Sequence, residues 1–307
     1  MNMSLLIPRF AIAVLLCAAL DVHAQEATPQ KTFATPEDAV VALVDATKAN
    51  DTRALLALFG PGGQDVVVSG DPVMDQRNRE VFLVAYAERA ALMSVTPTQS
   101  VLYVGYEDWP MPIPLVKDGE TWRFDTAAGA EEILFRRIGH NELDAIDVCR
   151  VYVDAQAEYA ASAHDGKPAG LYAQKMSSTK GQHDGLYWKS RNAADLSPFG
   201  ELAATAALEG YHRNAGQATP FHGYLFRILT AQGKGAAGGA HSYLVDGAMR
   251  DGFALIAEPA LYRVSGVMTF IVNQDGQIYQ KDLGPDTTKL AAAITEFDPD
   301  SSWQKVE

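Results

Sequence analysis

The sequence predicts an α+β protein: N-terminal helices on a small antiparallel sheet, then a long helix packed on a C-terminal antiparallel sheet. Three observations carry this. Apolar residues recur with the helical period from Thr35 to about Met93 and again over residues 127–164. Between Ser100 and Phe124, and again from Tyr224 to Lys281, short strand-like runs replace that period, separated by turn residues. The chain has 307 residues, 48% of them apolar and 21% charged, which suits a folded protein with a sizeable core and a prior of about two domains.

Thr35-Pro36-Glu37-Asp38 is a helix start, with a capping hydroxyl, a proline suited to the first turn and two acids at the positive end of the dipole. Ala39, Val40, Leu43 and Val44 carry its apolar stripe to about Asn50. Asp51 caps a second helix through Leu55, Leu56 and Phe59, ended by Gly60-Pro61-Gly62-Gly63. Val66-Val67-Val68 reads as a short strand and Ser69-Gly70-Asp71-Pro72 as a turn. Asp75 or Gln76 opens a third helix to about Met93, with Val81, Phe82, Tyr86, Ala90 and Met93 inward. Residues 101–106, 111–116 and 121–124 read as three strands, the last two joined by the tight turn Lys117-Asp118-Gly119-Glu120. Helices on such a sheet form an α+β layer.

Residues 127–164 are the longest helical stretch, which Gly139 is expected to break or bend. Ile138, Glu142, Ala145, Cys149, Tyr152 and Gln156 share one of its faces. A polar excursion over 164–192 and a short helix near 199–209 follow. Strand-like runs then occupy 224–229, 253–257, 267–272 and 277–281, with Asn273-Gln274-Asp275-Gly276 as a hairpin turn. A terminal helix at 290–294 precedes an acidic tail containing Trp303.

Arg9, eleven apolar residues from Phe10 to Leu20, and Val22-His23-Ala24 have the form of a secretory signal peptide over residues 1–24. The apolar run is shorter than the roughly 20 residues a membrane-spanning helix needs. The expected organisation is a signal peptide (1–24), a flexible leader (25–34), an N-terminal α+β domain (35–138) and a C-terminal domain (139–307). Cleavage removes Cys17 and leaves Cys149 alone, so no internal disulfide is expected and Cys149 reads as a core thiol. The net charge of −13 repels polyphosphate at long range, and no nucleic-acid partner is expected.

Several segments carry a family resemblance: Trp122-Arg123-Phe124-Asp125, Arg136-Arg137-Ile138-Gly139-His140-Asn141-Glu142, Ala155-Gln156-Ala157-Glu158-Tyr159, Gly252-Phe253-Ala254-Leu255 and Ser265-Gly266-Val267-Met268-Thr269-Phe270. Together they resemble a bacterial exported family catalogued as domain of unknown function 2950, from about Phe33 to Lys305. That resemblance implies an envelope location and no established activity. The order of N-terminal elements resembles the nuclear-transport-factor-2-like cone, whose cavity often holds small ligands. The long helix, its following loop and the later sheet are similar to the globular part of type IV pilins and pseudopilins. The match departs from pilins at Arg136, Arg137, His140, Asn141 and Glu142, where a pilin has its apolar assembly helix.

No catalytic residue, cofactor or metal is expected. His140, Asn141 and Glu142 could support acid–base work, but sequence neighbours do not face one another on a helix, and Asn141 more simply caps the helix that follows. His164, Asp165, His183 and Asp184 lack zinc spacing. Asn273-x-Asp275-Gly276 begins like a calcium loop but reaches Gly284 where a glutamate is needed. Ser265-Gly266 lacks the nucleophile-elbow frame, and the glycines of 233–239 suit a loop. Tyr103, Trp109 and Trp122 are the candidate walls of a ligand pocket, and equally candidate core. The expected function is that of an exported, non-enzymatic periplasmic protein that docks a cell-envelope protein partner. The alternative is a small-ligand binder using the N-terminal cone, and a third reading is a hydrolase with a dispersed Ser/His/Asp site.

Overall fold

The computed structural model describes residues 29–192, 195–209, 211 and 219–307. The expected signal peptide, and the leader up to residue 28, lie outside the described residues. The rest of that leader is docked: the Gln30 side chain donates to the carbonyls of Leu58 (2.8 Å) and Phe124 (2.7 Å), and Phe33 pairs with Trp122.

Four helices open the fold: α1 (Pro36–Lys48), α2 (Thr52–Phe59), α3 (Gly63–Val67) and α4 (Pro72–Glu88). Thr35, Asp51 and Asp71 cap α1, α2 and α4 with side-chain oxygens. Five strands follow: β1 (Ala90–Thr96), β2 (Gln99–Val104), β3 (Trp109–Pro110), β4 (Leu115–Asp118) and β5 (Thr121–Phe124). They form one antiparallel sheet in the order β1-β2-β4-β5, with β3 also on β2. Leu43, Leu58, Phe59, Leu102, Leu115 and Phe124 fill the core between helices and sheet.

Three expectations for this half are corrected. Residues 66–68 are not a strand. Gly62 takes a left-handed φ of 85°, the chain re-enters a helix, and Val67 turns into the core. The helix expected to reach Met93 ends at Glu88. Ala90 and Met93 lie in β1, where Ala90 pairs with Val104, and Val81 and Met93 are exposed rather than inward. The expected strand 111–116 shrinks to begin at Leu115, because Pro112 and Pro114 have no N–H to give a ladder.

α5 (Thr126–Ala160) is a single helix. It is not broken at Gly139, so the anticipated boundary at 138/139 falls inside continuous secondary structure. A glycine there costs about 1 kcal/mol relative to alanine. That is small against the packing of both flanks: Ile133 touches the N-terminal core, while Ala145, Cys149, Tyr152 and Tyr159 belong to a second core.

That second core lies between α5 and an antiparallel sheet. α6 (Gly200–Leu208) leads to β6 (Tyr224–Leu229). The two-residue strands β7 (Ala231–Gln232), β8 (His241–Ser242), β9 (Leu244–Val245) and β10 (Ala248–Met249) pair as β7 with β8 and β9 with β10. β11 (Ala254–Pro259), β12 (Met268–Asn273), β13 (Tyr279–Asp282) and β14 (Gln304–Lys305) complete the main sheet, ordered β14-β13-β12-β11-β6. β11 is an inner strand and nearly all buried, with Ile256 opposite both Ile271 and Arg227. α7 (Thr287–Ala293) packs near β11, and Arg227 donates to the carbonyls of Ala291 in its last turn and of Ile294 just after it. Gln156, fully buried, joins α5 to the excursion: its amide pairs with both backbone groups of Ala173 and donates to the Tyr152 hydroxyl. Among the described residues no helix is long and apolar enough to cross a membrane.

Candidate functional site

α4 has an unusual place in this fold. None of its residues is fully buried, although it spans 17 residues. Phe82, Leu83, Ala85 and Tyr86, all partly buried, pack its C-terminal half on the N-terminal core. The space beneath it, bounded by α4, α5 and the sheet, is a groove of about 860 Å³. Phe59, Phe82, Met111, Ile113 and Ile133 give it a largely apolar wall.

The charged groups of the groove are sorted along its length. At the end nearest the start of α4 lie three half-buried side chains, Asp75 and Arg79 from α4 and Arg137 from α5. Arg137 donates to the carbonyls of Asp65 and Val66, both at 2.6 Å, and so satisfies the end of α3. Burial pulls its pKa down, against the charges of Asp75 and Asp65. Arg79 donates to Asn50, to the Thr52 hydroxyl (3.2 Å) and to the carbonyl of Val67 (3.3 Å). Asp75 accepts the Ser69 N–H on both oxygens, and burial raises its pKa despite Ser69, Arg137 and Arg79. At the far end, Glu88 and Glu107 are exposed at the rim. Arg136 sits 5.5 Å above the Trp109 ring there and pairs with Glu132 at 2.6 Å.

A second polar cluster sits where the two halves meet. His222, in a left-handed backbone conformation, holds Asp144 of α5 through Nδ1 (2.7 Å) and Glu209 through Nε2 (2.6 Å). Burial opposes its charge, but the hydrogen bonds and charges of Asp144 and Glu209 outweigh burial and raise its pKa. A carboxylate on each nitrogen favours the imidazolium form, in which neither nitrogen has a lone pair for general-base work. Glu209 also pairs with Arg77 of α4 at 2.8 Å, and His140 lies 3.4 Å from Asp144. Beside it, buried Asp71 accepts from Val73 and Met74 at the start of α4, from the Tyr211 hydroxyl (2.6 Å) and from the Gly223 N–H (3.1 Å).

Of the three aromatic residues expected to wall a pocket, the structure brings only Trp109 to the groove, at its rim and 43% exposed. Tyr103 alternates with the buried Leu102 and Val104 and so points to the other side of β2. Trp122 packs on the N-terminal core beside Phe33. Asn141 does not cap a helix: it is buried mid-helix and donates to the Ser265 carbonyl at 2.8 Å. Glu142 accepts from the N–H groups of Val267 and Met268, so this pair ties α5 to β12. The Ser265 hydroxyl closes a turn with Leu261.

His164 stacks on Tyr159 at 4.1 Å, His183 packs on Trp188, and Asp184 pairs with Lys175. Among the described residues no cluster of His, Cys, Asp or Glu could hold a metal ion. Asn273 and Asp275 close the hairpin turn on themselves. The 233–239 loop packs on the tail, where Gly235 donates to Asp298.

Asp71, Asp75, Arg79, Asp144, Glu209 and His222 drew no functional reading from the sequence. The Asp75–Arg79 spacing of four was available, as was Asp71-Pro72, the same cap-then-proline pattern as Thr35-Pro36. Nothing local could place His222 between two helices 78 and 13 residues away.

No curated protein and no solved structure matches the chain. Its sequence matches the family described as "Protein of unknown function (DUF2950)" over residues 30–306, which takes in both sheets, the groove beneath α4 and the His222 cluster, and the chain belongs to that family.

Proposed function

We propose that this is an exported, non-enzymatic protein of the bacterial cell envelope that binds a small, largely apolar ligand in the groove beneath α4. One observation carries the binding reading: an apolar-walled space of about 860 Å³, within the usual size of ligand sites, with a few charged groups gathered at its ends. Export rests on Arg9, the apolar run and Val22-His23-Ala24. The test of the groove is titration of a neutral solvatochromic dye into the mature protein and into Ile133→Glu, which puts a charge on the apolar wall. Wild-type protein is expected to bind the dye and the variant to lose it. Equal binding by both, in folded protein, places the dye elsewhere and overturns the reading.

Docking of an envelope partner keeps one specific support. β1 is an unpaired sheet edge, and Met93 and Val95 on it are more than half exposed. Crosslinking from position 95 in cells, without any captured protein, would remove that second role.

A further inference from the structure

We infer that the groove takes an amphiphile with an anionic head, its chain lying under α4 and its head between Arg79 and Arg137. This inference rests on the groove being a ligand site and adds the chemical class of the ligand.

The argument is one of uncompensated charge. Among the described residues neither guanidinium has a carboxylate within 4.0 Å, whereas Arg136, the other guanidinium lining the groove, has Glu132. The partners of Arg79 and Arg137 are neutral: three backbone carbonyls, an amide and a hydroxyl. The end of α3 contributes only the partial negative charge of a helix terminus. Two acids lie near this pole: Asp75, which lines the groove and is engaged by Ser69, and Asp65, which is exposed and outside the groove lining. Within the groove lining two guanidiniums face one carboxylate, and their half burial means that water screens them less than it screens exposed Asp65. Guanidinium is also the side chain best shaped to take a carboxylate or phosphate.

The groove's length sets the orientation. Asp75 and Glu88 are 13 residues apart on α4, a rise of about 20 Å at roughly 1.5 Å per residue. Between them the wall is Phe82, Met111 and Ile133. At the far rim Glu88 and Glu107 repel an anion and Arg136 is already paired with Glu132, so a head of that sign is directed to the Arg79 end and a chain trails toward the open rim. A carboxylate and a phosphate monoester share this chemistry.

The test compares probes of one chain length on the full mature protein, below their micelle concentrations: dodecanoate, dodecyl phosphate, dodecanol and dodecylamine, each displacing the neutral dye. Dodecanoate or dodecyl phosphate is expected to bind about tenfold or more tighter than dodecanol, the scale of one charge-assisted contact, and the better of the two identifies the head. Arg79→Gln is expected to abolish that preference, read as the ratio of acid to alcohol affinity within the same variant. Arg137 also supports α3, so the independent variant is Asp75→Asn, which keeps an acceptor for Ser69, removes the opposing charge and should widen the preference. Equal binding of acid and alcohol, or preference for the amine, overturns the head-group inference and leaves the groove standing. Failure of all four to displace the dye removes the groove reading itself.

Discussion

Asp71 is where a single substitution should cost the most for its size. The side chain is 1% exposed and accepts four hydrogen bonds, two at the start of α4 and two from Tyr211 and Gly223 in the other half of the protein. In Asp71→Ala the loss of the cap costs about 1 kcal/mol. The Tyr211 hydroxyl and Gly223 N–H lose bonds to a charged acceptor, each of about 1.5–3 kcal/mol. Relief of burying a carboxylate offsets part of this, and a net destabilisation of about 4 kcal/mol is expected. Asp71→Asn keeps Oδ1 and the cap but presents N–H groups to the Gly223 N–H, so about 2–3 kcal/mol is expected, again from the loss of charge-assisted bonds. The assay is urea unfolding followed by tryptophan fluorescence and by circular dichroism, with coincidence of the two curves checked first. A cost under about 1 kcal/mol for Asp71→Ala, or an equal cost for both variants, refutes the account of Asp71 as a buried junction between the halves.

The raised pKa of His222 makes stability depend on pH in a defined direction. Its contribution is complete below the unfolded value of about 6.5 and is lost as pH rises through the higher folded value, so the gap in urea midpoint between wild type and His222→Gln should narrow from pH 6 toward alkaline pH; a gap that widens would refute it. Cys149 is fully buried and its pKa is pushed up to about 12, so it should label slowly in native protein and rapidly in denaturant, and Cys149→Ala should cost about 1 kcal/mol. Protein purified from cell envelopes should begin at or near Gln25 by mass spectrometry; an intact Met1 in a soluble envelope fraction contradicts export.

The elements that local patterning could reveal are those whose burial is one-sided. α1 was legible because Thr35-Pro36 and the spacing of Ala39, Val40, Leu43 and Val44 agree. The central strands of the second sheet were legible because apolar runs between turn residues leave little else for them to be. Val66-Val67-Val68 misled because three β-branched residues favour a strand, while Gly62 and the demand of the core for Val67 impose a helical turn. Gly139 misled for the opposite reason: a local weakness is outweighed by packing on both sides. The groove was half legible. Trp109 was in view, but Arg79 and Arg137 were not, since their significance lies in missing partners, a property of the assembled surface rather than of any window of sequence.

The position of α4 is what makes the groove a groove, and the partial burial of Phe82, Leu83, Ala85 and Tyr86 is not all that holds it there. Its first turn is capped by Asp71, whose other oxygen is bound by Tyr211 and Gly223. One turn on, Arg77 pairs with Glu209, and Glu209 with His222, which holds Asp144 on α5. The outer wall of the N-terminal groove is therefore pinned to the C-terminal half at one end. α5 closes the same circuit from beneath, with Arg137 in the groove and Asn141 and Glu142 bonded to residues 265–268 a turn later. Residues 35–138 thus contain most of the groove's lining, with His140 and Asn141 beyond them, and not all that positions it. Any ligand that fixes α4 against α5 stabilises the junction by the same free energy with which the junction favours the ligand. That reciprocity gives a physical reason for two cores to share one uninterrupted helix.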